Sequence, residues 1–363
     1  MIRLEHINDT IKYMRDMSKR QINILEKFPE EGKISSSDIL KILGEKVSLI
    51  TIKRDLESLV VLKYLERKGK GRSTVYEKTT LGMLLSPVDA SKYNAVDPDV
   101  RNGRDSFNFS LFENFPKDVF MSDEKESLDN ATKKYQKNIK NISQTVQFKE
   151  LERFVIELSW KSSKIEGNTY TLLDTEKLIR EGIPGEGRTK DETTMILNHK
   201  KAFSFIMDNL GDLHKNGVNL KFIEKVHELL TSGLGVSRGI RNGLVGVIGT
   251  KYKPLDNKYQ INEALETLYK RVNQMQNVYS KALTLLVGIS YIQPFEDGNK
   301  RTARLLCNAI LLSLKCAPLS YRSVDENNYR ESILVFYEKN SLVPMKKIFI
   351  DQYIFSTENY LVK

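Results

Sequence analysis

Over the first 84 residues, apolar positions recur at helical spacing in three short runs and then give way to alternation. Ile22, Ile24 and Leu25 mark the first run, Ile39 and Leu40 follow the N-cap candidates Ser36 and Ser37, and Ile52, Leu56 and Leu59 follow Ser48 at core spacing. Tyr64-Leu65-Glu66-Arg67 and Ser73-Thr74-Val75-Tyr76 then alternate around Lys68-Gly69-Lys70-Gly71-Arg72, which predicts a hairpin with a basic tip. Between Leu81 and Asn114 the pattern dissolves into Pro, Asp, Asn, Ser and Gly, so residues 85–114 are expected as an extended linker. From Val119 helical periodicity returns and runs to the C-terminus: Phe154, Ile156, Leu158 and Trp160 share one helix, and Lys281 to Ile292 is apolar almost throughout. The expectation is a mainly α protein, with a small unit over 1–84 and an all-helical domain over 115–363.

Helix, helix, helix, hairpin is the order of a winged helix-turn-helix, and charge sharpens that reading. The chain of 363 residues carries a net +10, and Lys19 to Lys78 alone holds 14 Lys and Arg against 9 Asp and Glu, half of the excess. Thr51-Ile52-Lys53-Arg54-Asp55-Leu56 resembles the recognition helix of DeoR-like bacterial regulators. On that reading Lys53, Arg54, Lys68, Lys70 and Arg72 neutralise phosphates while Ser48 or Thr51 approaches base edges, making DNA an expected partner. The same charges also suit a solvated face on a winged helix that docks a protein or pairs two protomers, so a homodimer stays open. No run of eighteen apolar residues exists, and Met1–Thr10 mixes charges with apolar residues, so the expectation is a cytoplasmic protein without a membrane segment. Cys307 and Cys316 lie in apolar helical sequence and read as buried thiols. His6, His199, His214 and His227 have no spacing that suggests a metal cluster.

The most chemical stretch is Gln293-Pro294-Phe295-Glu296-Asp297-Gly298-Asn299-Lys300-Arg301-Thr302-Ala303-Arg304. Gly298 and Asn299 suit a tight turn with outward N–H groups, and a helix starting near Lys300 aims its positive end at the same point. Arg301 and Arg304 lie on neighbouring parts of one helical face, and Asp297 is a hard oxygen ligand able to hold Mg²⁺ against phosphate oxygens. A metal-bound polyphosphate is the expected guest, with Gly298, Asn299, Lys300, Arg301 and Arg304 as its candidate phosphate ligands. The stretch resembles the Fic-family signature HPFx(D/E)GN(G/K)RxxR, with Gln293 in place of the histidine. The resemblance implies an all-helical Fic core with a short β-hairpin flap, ATP and Mg²⁺ as the bound species, and AMP transfer to a Ser, Thr or Tyr hydroxyl of a target protein. In the family the histidine takes the hydroxyl proton. Glutamine has no titratable group, so transfer is expected to be lost or strongly impaired. Two readings follow: a transferase whose base has been replaced, or a naturally degenerate member that senses nucleotide and regulates transcription through its DNA-binding unit.

Ser162-Ser163-Lys164-Ile165-Glu166-Gly167 matches the family's inhibitory motif (S/T)xxxE(G/N), about 130 residues before the phosphate stretch and in a helix expected near 151–168. By resemblance, Ser162, Glu166 and Gly167 form a self-inhibiting helix end, with Glu166 paired to Arg304 where the γ-phosphate belongs. Val236-Ser237-Arg238-Gly239-Ile240-Arg241 and Val247-Ile248-Gly249-Thr250-Lys251-Tyr252-Lys253-Pro254 look like the two arms of the flap, on which an extended target segment would pair. Asn328 and Tyr329 fall where the family lines its adenine pocket, and a histidine in the place of His227 is structural in the family.

Overall fold

The structure is a computed structural model that describes residues 17–29, 32–44, 47–140 and 142–362. The expectations for Met1–Thr10 and His6 lie outside the described residues. The first unit comprises α1 (Lys19–Lys27), α2 (Ser36–Leu43), α3 (Leu49–Val61), β1 (Leu65–Lys68) and β2 (Val75–Lys78). Each helix starts on a serine whose hydroxyl accepts a backbone N–H that the first turn cannot satisfy. These are Ser18 for α1, Ser48 for α3 and, one residue earlier than expected, Ser35 for α2, because Ser36 is already helical and buried. The strands pair antiparallel with Leu65 opposite Lys78 and Lys68 opposite Val75, and a 3₁₀ turn at Gly71–Ser73 forms the basic tip. Ile24, Leu25, Phe28, Ile39, Ile52, Leu56 and Leu59 close a small separate core.

The second unit is helical. It runs through α4 (Thr80–Leu84), α5 (Ala90–Asn94), α6 (Ser110–Glu113), α7 (Ser122–Lys140), α8 (Gln144–Ile165), α9 (Leu172–Glu181), α10 (Lys190–Asp208), α11 (Leu210–Asn216) and α12 (Leu220–Thr231), then α13 (Lys258–Gln274), α14 (Val278–Ile292), α15 (Asn299–Ser313), α16 (Glu326–Lys339) and α17 (Val343–Asn359). The molecule is mainly α, with the β1–β2 pair as its small sheet. α14 and α15 are buried nearly all round and pack along each other at the centre, while α8, α10, α12 and α16 surround them. A helix apolar on every side needs such enclosure. Both cysteines are buried and unpaired. No helix among the described residues is long and apolar enough to cross a membrane.

Residues 85–114, expected as an extended linker, lie against the helical unit and contain two short helices. Phe107, Leu111 and Phe112 enter the larger core, and the Leu84 carbonyl accepts from the Leu342 N–H at 2.8 Å. Arg101 is buried against Glu338 at 3.1 Å. Polar composition hid this docking, because its anchors are scattered aromatics and one long-range ion pair. The expected flap arms, Val236–Arg241 and Val247–Pro254, form no strands among the described residues. Their backbone groups bond elsewhere: Arg241 N–H donates to Pro294 O, Gly243 N–H to Asp256 O and Lys253 N–H to Asp105 O. Gly239, Gly243 and Gly249 take positive φ, which breaks any continuous ladder.

Candidate functional site

The end of α14, the turn 293–298 and the start of α15 build the site. α14 stops at Gln293, which takes a left-handed conformation with φ 50° and still donates its N–H to Ile289 O. The Gln293 amide faces inward: Nε2 donates to Ser290 O at 2.6 Å and to the Tyr337 hydroxyl at 3.2 Å, and Oε1 accepts from Asn299 Nδ2 at 2.9 Å. Three of the amide's four hydrogen-bonding positions are in use, both N–H donors among them. Asn299 fastens the turn from the other side. Its Oδ1 accepts the Phe295 N–H at 2.9 Å and its Nδ2 also donates to Phe295 O at 2.8 Å. His227 stacks on Phe295 with centroids 3.6 Å apart and donates Nε2–H to Asp297 O at 2.9 Å. Burial pushes the His227 pKa down to about 4, so the ring is neutral.

Gly298 sits at φ 79° as the N-cap of α15, and no side chain caps the helix there. A Cβ at Gly298 would meet Thr231 at 3.0 Å as well as carrying the strain of positive φ. The first N–H groups of a fifteen-residue helix therefore open at this turn. Arg301 and Arg304 flank it, both fully enclosed. Arg301 Nη2 donates to Asp297 Oδ2 at 3.0 Å, while Arg301 Nη1 and Arg304 Nη1 are buried with no hydrogen-bond partner. Unpaired buried guanidinium nitrogens are costly, and an anionic oxygen is the partner they suit. Asp297 is 70% exposed at its side chain. It is a single carboxylate, and no cluster of three or more His, Cys, Asp or Glu exists among the described residues. Such a donor set fits Mg²⁺ only when ligand phosphates and water complete the shell.

The end of α8 reaches the same turn. Glu166 Oε1 accepts from Arg304 Nη2 at 2.9 Å and its Oε2 lies 3.1 Å from Lys300 Nζ. Burial works to raise the Glu166 pKa, but Arg304 and Lys300 outweigh it and hold it at about 2. Ser162 grips Arg304 twice: its hydroxyl accepts from Nε at 2.9 Å and its carbonyl from Nη2 at 2.8 Å. Gly167 follows with φ 98° and ends the helix. Arg330 Nε donates to Ile165 O at 2.8 Å, and Lys161 pairs with Glu326 at 2.5 Å, pinning the helix end to α16.

Several residues singled out in the sequence thus converge, namely Gln293, Asp297, Gly298, Asn299, Lys300, Arg301, Arg304, Ser162, Glu166 and Gly167. Lys300, expected on phosphate, is engaged by Glu166. Tyr329 is buried with the Arg304 guanidinium 5.3 Å from its ring centre, whereas Asn328 is exposed at the start of α16, its N–H bonded to Asp325. Val247 packs on the larger core, Ile248 is 98% exposed, and Gly249 and Thr250 bond to Arg101 and Glu338 respectively. The remaining candidates, Ser48, Thr51, Lys53, Arg54, Lys68, Lys70 and Arg72, stand apart on α3 and the hairpin. Ser48 and Thr51 bond to each other at 2.9 Å, and Lys68 lies 3.4 Å from both Glu66 and Glu77. Lys53, Arg54, Lys70 and Arg72 are exposed. Sequence reasoning missed His199, which bonds to Ser162, and Arg241, whose Nε donates to Gln293 O at 2.6 Å. Neither contact has a local signature, since each joins segments at least 37 residues apart.

Comparison with known proteins finds matches that include this turn. Residues 217–311 match the Fic/DOC family model. The chain is 26% identical over 175 residues to the protein adenylyltransferase Fic of Nematostella vectensis, covering 47% of this chain and 41% of that protein. It is 27% identical over 183 residues to the protein adenylyltransferase Fic of Aedes aegypti, covering 49% of this chain and 36% of the other. The chain thus spans about two fifths of the length of these relatives. In fold it is similar to Fic-1 (residues 134–508) from C. elegans, with a TM-score of 0.57, 20% identity and coverage of 66% of this chain and 72% of that one. It is likewise similar to a Fic-domain-containing signalling protein from Bacteroides thetaiotaomicron, with a TM-score of 0.55, 19% identity and coverage of 64% and 94%.

Proposed function

We propose that this chain, which carries a Fic/DOC domain over residues 217–311, is a self-restrained nucleotide-binding protein whose parent chemistry is AMP transfer from ATP to a protein hydroxyl. The observation that carries the reading is the meeting of Glu166 with Arg304 at 2.9 Å beside an uncapped helix start and two unpartnered guanidinium nitrogens. The N–H groups after Gly298 and the free Nη1 of Arg301 and Arg304 would bind polyphosphate oxygens. Asp297 would hold Mg²⁺ against them, and the bound ion would offset phosphate charge. Glu166 competes for Arg304, so nucleotide enters with its terminal phosphate displaced and its α-phosphate turned from an attacking hydroxyl. Tyr329, beneath Arg304, is better suited to hold that arginine than to cover a base, and exposed Asn328 remains the candidate for the adenine edge.

Transfer needs a group to take the hydroxyl proton as the oxygen attacks phosphorus. Gln293 cannot, and its amide is committed to Ser290, Tyr337 and Asn299. Hence the protein as it stands binds nucleotide and transfers little. The test is calorimetric titration of ATP·Mg²⁺ combined with labelled-ATP transfer for the unaltered protein, Gln293→His and Gln293→His with Glu166→Gly. Binding in all three, with transfer only after histidine is restored and strongest in the double variant, is expected. Absence of label from the double variant, on itself and on added lysate proteins, removes the transferase reading.

A second reading is favoured by the exposed cations of α3 and the hairpin tip. The three helices and hairpin would act as a winged helix-turn-helix, with Lys53, Arg54, Lys70 and Arg72 on DNA phosphates and the nucleotide site as sensor. Affinity for the protein's own promoter should then change with ATP and fall steeply with salt. No promoter binding at low salt rejects it. If the unit instead pairs protomers, Lys70→Glu with Arg72→Glu should alter the sedimentation of the protein in the absence of DNA.

A further inference from the structure

We infer that His199, buried on α10, is a positioning residue for the restraint on Arg304, acting only through the hydroxyl of Ser162. The inference rests on the proposed self-restraint and extends it to a residue outside the motif.

The polarity of the contacts is assigned from the groups at each end. His199 Nδ1 lies 3.0 Å from Met195 O, which can only accept, and a longer 3.5 Å from the Ser163 hydroxyl, so the shorter contact assigns the proton to Nδ1. The ring has no exposure, and burial, with Arg301 and Arg304 nearby, holds its pKa down at about 3. A neutral ring protonated at Nδ1 has a bare Nε2. That nitrogen sits 2.9 Å from Ser162 Oγ, so the serine hydroxyl donates to it. Ser162 Oγ then has only lone pairs left to offer, and it turns one to Arg304 Nε at 2.9 Å. Met195 carbonyl, imidazole, hydroxyl and guanidinium thus form one directed chain. Without the imidazole acceptor, the Ser162 proton is free to rotate toward the cation, where the contact becomes repulsive. Arg304 would then keep Glu166 and the Ser162 carbonyl but lose its third tie. A histidine at this depth contributes nothing as a base, since Ser162 blocks its one free nitrogen.

The test has two arms. Long-range proton–nitrogen NMR of the full chain reads the tautomer, with the His199 signal assigned by its loss in His199→Leu. An Nδ1–H ring is expected, and an Nε2–H ring overturns the inference whether or not nucleotide binds. The second arm is a cycle of ATP·Mg²⁺ affinities for the unaltered protein, His199→Leu, Ser162→Ala and the double variant, each confirmed folded by its melting transition. Loss of one charge-assisted tie on Arg304 should raise nucleotide affinity about three- to tenfold in His199→Leu. The same change should have no effect once Ser162 is alanine. An unchanged or lowered affinity in His199→Leu, or a gain that persists beside Ser162→Ala, makes the ring ordinary core packing. Glu166→Gly is measured in parallel. If that variant leaves affinity unaltered, self-restraint itself fails, and the tautomer still decides the hydrogen-bond chain.

Discussion

Two cation-rich turns, each holding glycine, sit in different parts of this molecule: Lys68-Gly69-Lys70-Gly71-Arg72 at the hairpin tip and Gly298-Asn299-Lys300-Arg301 at the start of α15. The first is almost entirely exposed, its charges solvated or loosely paired at the surface as Lys68 is with Glu66 and Glu77. The second is enclosed. Arg301 is held by Asp297 and Arg304, one turn on, by Ser162 and Glu166; the asparagine fastens the loop to Gln293, and one guanidinium nitrogen of each arginine remains without a partner. Similar charge density therefore carries different meaning. Exposed cations add a diffuse field that salt screens, whereas buried donors fixed by neighbours define where an anion must sit.

The largest contrast should come from removing one arginine. Arg301→Ala, with an intact melting transition, should lower ATP·Mg²⁺ affinity about a hundredfold, because a desolvated charge-assisted contact is lost. Calorimetric titration reads it, and a loss below about threefold would place phosphate elsewhere. At the hairpin, Lys70→Glu with Arg72→Glu should cost about tenfold in DNA affinity near physiological salt and reduce the salt slope by about two. ATP binding should not move. A parallel loss of ATP affinity would erase the distinction between the turns.

A subtler probe is Gln293→Ala, which strips Asn299 and Tyr337 of a buried partner. It should lower stability by about 1–3 kcal/mol, read as a lower urea midpoint at unchanged slope. No change would mean the amide does not brace the turn.

The enclosed turn should also respond to acid. His199 and His227 have folded pKa values of about 3 and about 4, below the ordinary 6.5, so their neutral forms favour the native state at neutral pH. That contribution is present above pH 6.5 and is lost as pH falls toward those folded values, because the unfolded chain binds the protons first. Glu166, lowered from 4.5 to about 2, adds a second loss between those values. Chemical denaturation across pH should show the first loss shrinking in His199→Leu and the second in Glu166→Gln.

How much of this was legible depended on the range of the contact. The Gly298-Asn299 turn, the serine cap of α3 and the apolar α14 are written in neighbouring residues, where spacing and capping chemistry suffice. Glu166 beside Arg304 was legible only because each end carries a recognisable motif. His199 on Ser162, Lys300 on Glu166 and Arg101 on Glu338 have no such marks. Each is a tertiary pair that no spacing in the sequence joins, even where one partner lies in a motif. The segment 85–114 was obscured by its own polarity, since scattered aromatics together with buried polar groups such as Arg101 and Asn108 dock it. The flap arms were expected from resemblance, yet three positive-φ glycines and outside hydrogen bonds leave no ladder to form.

The account turns on Glu166 holding Arg304 from its ligand, and the direct measurement is calorimetric titration of ATP·Mg²⁺ into the unaltered protein and Glu166→Gly. Affinity about tenfold higher in the glycine variant, at unchanged stoichiometry, is the predicted result. Equal affinities in the two proteins would contradict it.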